Sequence, residues 1–165
     1  MSELDLDTIA AERDRIRTTY LRDRSRRGST TARGIHHVAV PCANVERTVR
    51  FYQELLEFPL IEMFENRDYH GSTHFFFDIG NGNTLAFFDF PGLDLDDYRE
   101  VLGGLHHLAL SMERTQWERI KAKLDAAGVT YHQVGKSSLY FRDPDGTRLE
   151  LNCSELGYMR GEKMV

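Results

Sequence analysis

Two histidine pairs and one glutamate are the residues of this sequence best suited to chemistry. His36-His37 and His106-His107 stand seventy residues apart, and Glu150 follows within an alternating apolar run. Two imidazoles and one carboxylate make a facial donor set for iron(II), and the same donors suit manganese, zinc, nickel or cobalt. A partly buried carboxylate needs a partner, and a metal ion is one. Taken singly, each of the three has a plainer explanation: a histidine satisfied within the core, or a glutamate paired with an arginine. Their joint placement points to a metal.

That placement comes from a repeat. Gly34-Ile35-His36-His37-Val38-Ala39-Val40 returns as Gly104-Leu105-His106-His107-Leu108-Ala109-Leu110, matching in residue type at all seven positions. Internal similarity at a fixed offset marks a duplicated supersecondary unit. After the first copy, Asn44 can cap a helix with Val45, Val49, Tyr52, Leu55 and Leu56 as its apolar stripe. After the second, Thr115 and Glu118 have capping-box spacing, Trp117, Ile120, Leu124 and Ala127 form the stripe, and Gly128 marks the stop.

Strand-like runs follow each helix: about Leu60 to Asp68, Thr73 to Ile79 and Thr84 to Phe90, then Val129 to Val134, Ser138 to Arg142 and Thr147 to Cys153. Turn signals, Gly80-Asn81-Gly82-Asn83 and Asp143-Pro144-Asp145-Gly146, separate the last two strands of each copy. Asp143 and Asp145 read as turn formers. The predicted architecture is α+β, with two tandem βαβββ modules.

Side chains alternate across a strand, which sorts each module into a face under its helix and a free face. Val38, Val40, Leu108, Leu110, Leu149 and Leu151 claim the helix side. His37, His107, Glu150 and Asn152 then share the free side, with the small Ala39 and Ala109 leaving space, whereas His36 and His106 fall on the packed side. His37, His107 and Glu150 are therefore the candidate metal ligands. His70, His74 and His132 are expected in surface or packing roles, with general-base duty as the alternative. Phe75, Phe77, Phe87 and Phe88 line either the core or the free face, and the latter would favour an aromatic substrate.

With 165 residues, 41% hydrophobic and 28% charged, the chain suits one globular domain. No apolar run is long enough to span a bilayer, and the charged start lacks the apolar stretch of a secretory signal, so a cytoplasmic protein without membrane contact is expected. A net charge of -5 argues against nucleic acid as partner. Cys42 and Cys153 read as buried thiols. Leu6 to Asp23 reads as a helix, and the stretch with Arg22, Arg24, Arg26, Arg27 and Arg33 reads as a solvated linker rather than an anion site. The expected division is a helical extension and linker over 1–33, a first module over 34–103 and a second module with a short tail over 104–165; the duplicated domain proper covers 34–153.

The His37-Val38-Ala39-Val40 and His107-Leu108-Ala109-Leu110 strands, the helix start from Asn44 to Phe51, and the run from Tyr140 to Glu150 resemble the vicinal oxygen chelate superfamily of glyoxalases, bleomycin-resistance proteins and extradiol dioxygenases. That resemblance implies a cup-shaped, partly closed mixed sheet around a divalent metal, a small-molecule substrate that chelates it through neighbouring oxygens, and pairing of modules within a chain or across a homodimer. It also implies that Tyr140 matches a tyrosine found near the metal in the ring-cleaving dioxygenases and the fosfomycin thiol transferases, where its phenol could assist as a catalytic group at a metal-bound oxygen. A plain half-buried strand tyrosine is the alternative.

Departures from the family pattern narrow the choice. Aligning Thr84 with Thr147 puts Phe87 at the position equivalent to Glu150, so the second carboxylate of glyoxalase-type isomerases is missing. The acid-base histidine of extradiol enzymes has no counterpart in Phe87-Phe88-Asp89-Phe90, and Ala39 replaces a threonine of the fosfomycin enzymes, although Lys136 and Ser138 keep that reading open. The expectation is an iron(II)-favouring metalloenzyme, a dioxygenase on a small oxygenated or aromatic compound ahead of a lyase, isomerase or thiol transferase. A non-catalytic drug- or metabolite-binding protein is the third reading.

Overall fold

A computed structural model describes residues 5–32, 34–159 and 162–163. The chain divides into two compact units, Met1–Gly34 with Val165, and Ile35–Met164. Arg33, the last arginine of the expected linker, lies outside the described residues, as do residues 1–4, 160, 161, 164 and 165 of the expected extension and tail.

In the first unit, α1 (Leu6–Tyr20) starts at Asp5, whose Oδ1 accepts the Thr8 N–H at 3.0 Å. It ends three residues before the expected Asp23, as Leu21 turns extended and its N–H closes on the Arg17 carbonyl. Leu6, Ile9, Ile16 and Tyr20 are all exposed, so the apolar stripe covers nothing among the described residues of this unit. A short 3-10 turn, Arg24–Arg26, follows.

The second unit carries the two modules. The first consists of β1 (His37–Pro41), α2 (Val45–Val49), β2 (Leu60–Glu65), β3 (Thr73–Asp78) and β4 (Thr84–Phe88). The second consists of β5 (Leu108–Ser111), α3 (Arg114–Ala126), β6 (Tyr131–Val134), β7 (Ser138–Arg142) and β8 (Arg148–Asn152). Each makes an open mixed sheet, ordered β1-β4-β3-β2 and β5-β8-β7-β6, in which only the first-named pair is parallel. A small antiparallel ladder joins β9 (Tyr158–Met159) to β10 (Glu162–Lys163). The duplicated βαβββ reading is thus observed, with sheets that do not close.

Asn44 caps α2 as expected, its side chain accepting the Arg47 N–H at 2.8 Å. The helix then widens into a π-helical turn over Arg50–Leu55, which sends both Tyr52 and Leu56 into the core. The expected capping box of α3 is not formed. Glu113, not Thr115, occupies the cap, and the Thr115 hydroxyl turns to Gln116 instead. Gly128 does end the helix, in the left-handed conformation at φ 69° that a side chain would strain.

One apolar cluster unites both modules under their helices. Phe75, Phe77 and Phe87 are fully buried in it, and Tyr52 meets Phe87 and Phe77 at ring-centre distances of 4.8 and 5.4 Å. Three of the four phenylalanines left undecided by periodicity therefore belong to the core. Phe88 alone takes the free face, where its ring stacks on His74 at 3.8 Å.

Asp143 closes its turn, accepting the Gly146 N–H at 3.1 Å on its carbonyl, but it also clamps the modules together. Its Oδ2 accepts the Tyr52 hydroxyl at 2.9 Å, while Oδ1 takes the Thr147 and Asp145 N–H groups at 2.8 and 3.0 Å. Arg47 of α2 pairs with Asp145 beside it. Burial pushes the Asp143 carboxyl up despite these donors. Tyr52→Phe leaves Oδ2 buried without its donor and should cost about 1–3 kcal/mol in urea denaturation; a change near zero would show that the clamp contributes nothing.

Cys42 is 2% exposed, and burial pushes its thiol up to about 11. A thiol with a raised pKa stays protonated below that value and is a poor nucleophile. At pH 8 a disulfide reagent should leave Cys42 unmodified in the folded protein and reach it only after denaturation, as peptide mapping would read. Cys153 is half-buried and lies in the expected category only in part.

Candidate metal centre

Strand β8 sets Glu150 between Ala109 of β5 and Tyr140 of β7 on the free face of the second sheet. The carboxylate is 6% exposed and lies with Oε2 3.2 Å from His107 Nε2. Its Oε1 accepts the Asn152 amide at 2.9 Å, and that amide also reaches Ser138 Oγ at 3.2 Å. Burial alone would raise the Glu150 carboxyl. Hydrogen bonds from Tyr140, Ser138 and Asn152, with the charge of His107, outweigh burial and hold it below the usual carboxylate range.

Tyr140 stands edge-on to His107 with ring centres 5.6 Å apart, and the Arg148 guanidinium covers its other side at 5.4 Å. Burial and the hydrogen bond to Glu150 both raise its phenol, so the hydroxyl keeps its proton and acts as a donor. His107, Glu150 and Tyr140 thus converge on one face. An ionised, nine-tenths buried carboxylate next to an imidazole nitrogen is chemistry that fits a divalent cation.

His37 lies on the free face of the other sheet, in the row with Thr84 and Asp78, and is exposed. Among the described residues no three of His, Cys, Asp and Glu gather at one point. One chain therefore brings together two of the three candidate ligands.

Register corrects the search for a second carboxylate. Val38 pairs with Leu85 as Leu108 pairs with Leu149, so the position equivalent to Glu150 is Ala86, next to Ala39, and not Phe87. The first turn is one residue out of step with the second, and aligning the two threonines carried that offset into the strand. Phe87 faces the core. His36 and His106 also need correcting. Both precede the first paired residue of their strand, so parity does not apply, and both are exposed instead of packed beneath a helix.

Of the other histidines, His70 pairs with Glu65 on the surface at 2.6 Å. His132 is exposed but registers with Tyr140, on the Glu150 face. His74 lies between Phe88 and Phe76, with ring centres at 3.8 and 4.2 Å, and its Nε2 is buried without a hydrogen-bond partner. Burial holds its pKa down, with a contribution from His37. Phe64, Phe76 and Phe88 surround it on the free face of the first sheet, an aromatic wall that alternation through Thr73–Asp78 could have separated from the core set. Glu100 and Arg148, which support His106, carry no sequence signal, because Glu100 sits in an irregular connection.

Residues 34–151 match the sequence profile of the Glyoxalase/Bleomycin resistance protein/Dioxygenase superfamily. The chain is 33% identical over 132 residues to metallothiol transferase FosB of Shouchella clausii, covering 74% of this chain and 82% of that one. It is 27% identical to the putative ring-cleaving dioxygenase MhqA of Bacillus subtilis over 75% of this chain, which spans 41% of that relative. A glyoxylase/bleomycin resistance protein/dioxygenase domain from Frankia superposes with a TM-score of 0.65 at 22% identity, covering 78% of this chain and 96% of that domain, which shows a common fold.

Proposed function

The chain belongs to the glyoxalase/bleomycin resistance protein/dioxygenase superfamily, and on that premise we propose that it is a divalent-metal-dependent dioxygenase acting on a small aromatic or otherwise oxygenated compound. The metal is held by His107 and Glu150 of one protomer and by His37 of its partner in a homodimer. The observation that carries the metal is the His107 Nε2 to Glu150 Oε2 approach of 3.2 Å at a carboxylate that is buried yet ionised. His37 is exposed on the equivalent strand of the other sheet and does not join its own chain's pair in a three-ligand group, which supports a ligand supplied by a second copy.

A bound divalent ion supplies a Lewis acid for neighbouring substrate oxygens and, as iron(II), the means to react with dioxygen. The protein's residues do the rest. Tyr140 keeps its proton and donates to Glu150, so it can orient the carboxylate or donate to a substrate oxygen. Ala39 and Ala109 are small and exposed on their sheets, and the wall of Phe64, Phe76 and Phe88 suits a flat apolar body. In ring cleavage both atoms of dioxygen enter the product, so no outside reductant is consumed.

Thiol transfer is the second reading, favoured by the 33% identity to a metallothiol transferase and by Ser138 beside Glu150. Elemental analysis of protein purified without added metal, followed by oxygen uptake on catechol, separates the two. Iron with catechol-dependent uptake is expected. Zinc, nickel or manganese in a protein indifferent to oxygen would move the assignment to thiol transfer.

A further inference from the structure

Each candidate metal histidine stands against the histidine that precedes it, nitrogen to nitrogen. His106 Nδ1 lies 2.7 Å from His107 Nδ1, and His36 Nδ1 lies 2.9 Å from His37 Nδ1. At that separation one nitrogen must donate and the other accept, because two protons or two lone pairs would repel. The second pair has more behind it. Glu100 Oε2 is 3.5 Å from His106 Nε2, and Arg148 Nη1, 3.4 Å from the same nitrogen, is anchored on Glu100 Oε1 at 3.0 Å. No carboxylate stands behind His36 among the described residues.

We propose that His106, backed by Glu100, is the positioning residue of the metal centre: it accepts the Nδ1 proton of His107 and so presents the His107 Nε2 lone pair to the metal. The inference rests on His107 being a metal ligand. A metal on Nε2 forces the single proton of the His107 ring onto Nδ1. His106 Nδ1 must then accept it, which puts the proton of His106 on Nε2, facing the Glu100 carboxylate. A ligating histidine commonly donates its second nitrogen to a carboxylate or carbonyl; here an imidazole is interposed between ligand and carboxylate.

Without metal the opposite direction is satisfied. Arg148 points a donor at His106 Nε2, His106 donates from Nδ1, and His107 Nε2 turns its proton to Glu150 Oε2 at 3.2 Å. Metal loading therefore reverses the hydrogen-bond direction along Glu100, His106 and His107.

The test uses the full-length protein loaded with zinc and two-bond proton–nitrogen correlation spectra of its histidines. In the wild type, His107 should carry its proton on Nδ1 with zinc and on Nε2 without. His106→Phe should shift the zinc-loaded His107 away from the Nδ1-protonated form and weaken zinc binding about 10–100-fold in chelator competition. His106→Gln, which keeps an acceptor, should recover part of both, and Glu100→Gln should weaken zinc in the same direction but less. His106 is exposed, so an unchanged thermal midpoint should show that the variants fold. If His106→Phe leaves both the His107 tautomer and zinc affinity as in the wild type, the positioning role is wrong while the metal reading survives. If wild-type protein binds no zinc and loses nothing on His107→Ala, the metal reading falls and this inference with it.

Discussion

Mixing two inactive variants, His37→Ala and Glu150→Ala, should restore about one metal site in four. In the proposed homodimer every site takes His37 from one protomer and Glu150 from its partner, so each variant alone would lack a ligand in both sites. A two-fold interface contributes both halves reciprocally, so a mixed dimer has one site missing both residues and one site intact. Random re-association makes about half the dimers mixed, and half of their sites are whole. The separate variants should lose more than the about 10–100-fold in metal affinity that removing a mere supporting partner costs. Unfolding and refolding the variants together, then counting bound metal per chain, reads the outcome. If the mixture binds no more than the separate variants, His37 does not complete a partner's site.

The proposed arrangement is motivated by what one chain holds. The free face of the second sheet supplies an imidazole, an ionised carboxylate and a protonated phenol, whereas His37 belongs to the first sheet. The two sheets share a core through their helix-covered faces, fastened by Tyr52, Asp143 and Arg47. Ile61 and Leu102 are exposed apolar surface, which the proposed second copy would cover.

Trp117→Ala should be the most damaging substitution away from the site. Trp117 is 4% exposed on α3, packed with Ile120 and Leu124 over β8, and its indole N–H donates to the Leu151 carbonyl at 3.1 Å. Truncating a buried tryptophan costs about 3–5 kcal/mol, and the indole hydrogen bond is lost with it. Against a total stability of about 5–15 kcal/mol, a loss of about 3–5 kcal/mol removes a large share of the folding margin. Trp117→Phe, which keeps most of the ring but not the donor, should lose about 1–2 kcal/mol. Urea denaturation followed by circular dichroism checks both, and a loss below about 1 kcal/mol for the alanine variant would mean that α3 contributes far less than its burial implies.

Both stability predictions involve residues whose role was partly readable in advance. Trp117 falls on the apolar stripe of its helix, and it is buried there, because a period of 3.6 survives whatever lies opposite. Tyr52 was also on its stripe, but its hydroxyl partner was not foreseeable. Asp143 is a turn former by type, and only the meeting of the two modules gives its Oδ2 a second duty. The capping box failed for a local reason: Glu113 and Arg114 can enter a helix as readily as Thr115, and the backbone began the turn earlier.

The amino-acid sequence by itself determined the duplicated βαβββ plan and the polar character of the face that carries Glu150. Those follow from a repeat and from alternation, both local properties of the chain. Tertiary structure alone decided the rest. Strand register put Ala86 rather than Phe87 opposite Ala39, since a one-residue difference between turns changes the side on which every later residue falls. Side-chain packing placed Phe75, Phe77 and Phe87 in the core and left His74 among Phe64, Phe76 and Phe88. The separation of His37 from His107 and Glu150 was likewise invisible to periodicity, which reports the face a residue takes but not which sheet that face will meet.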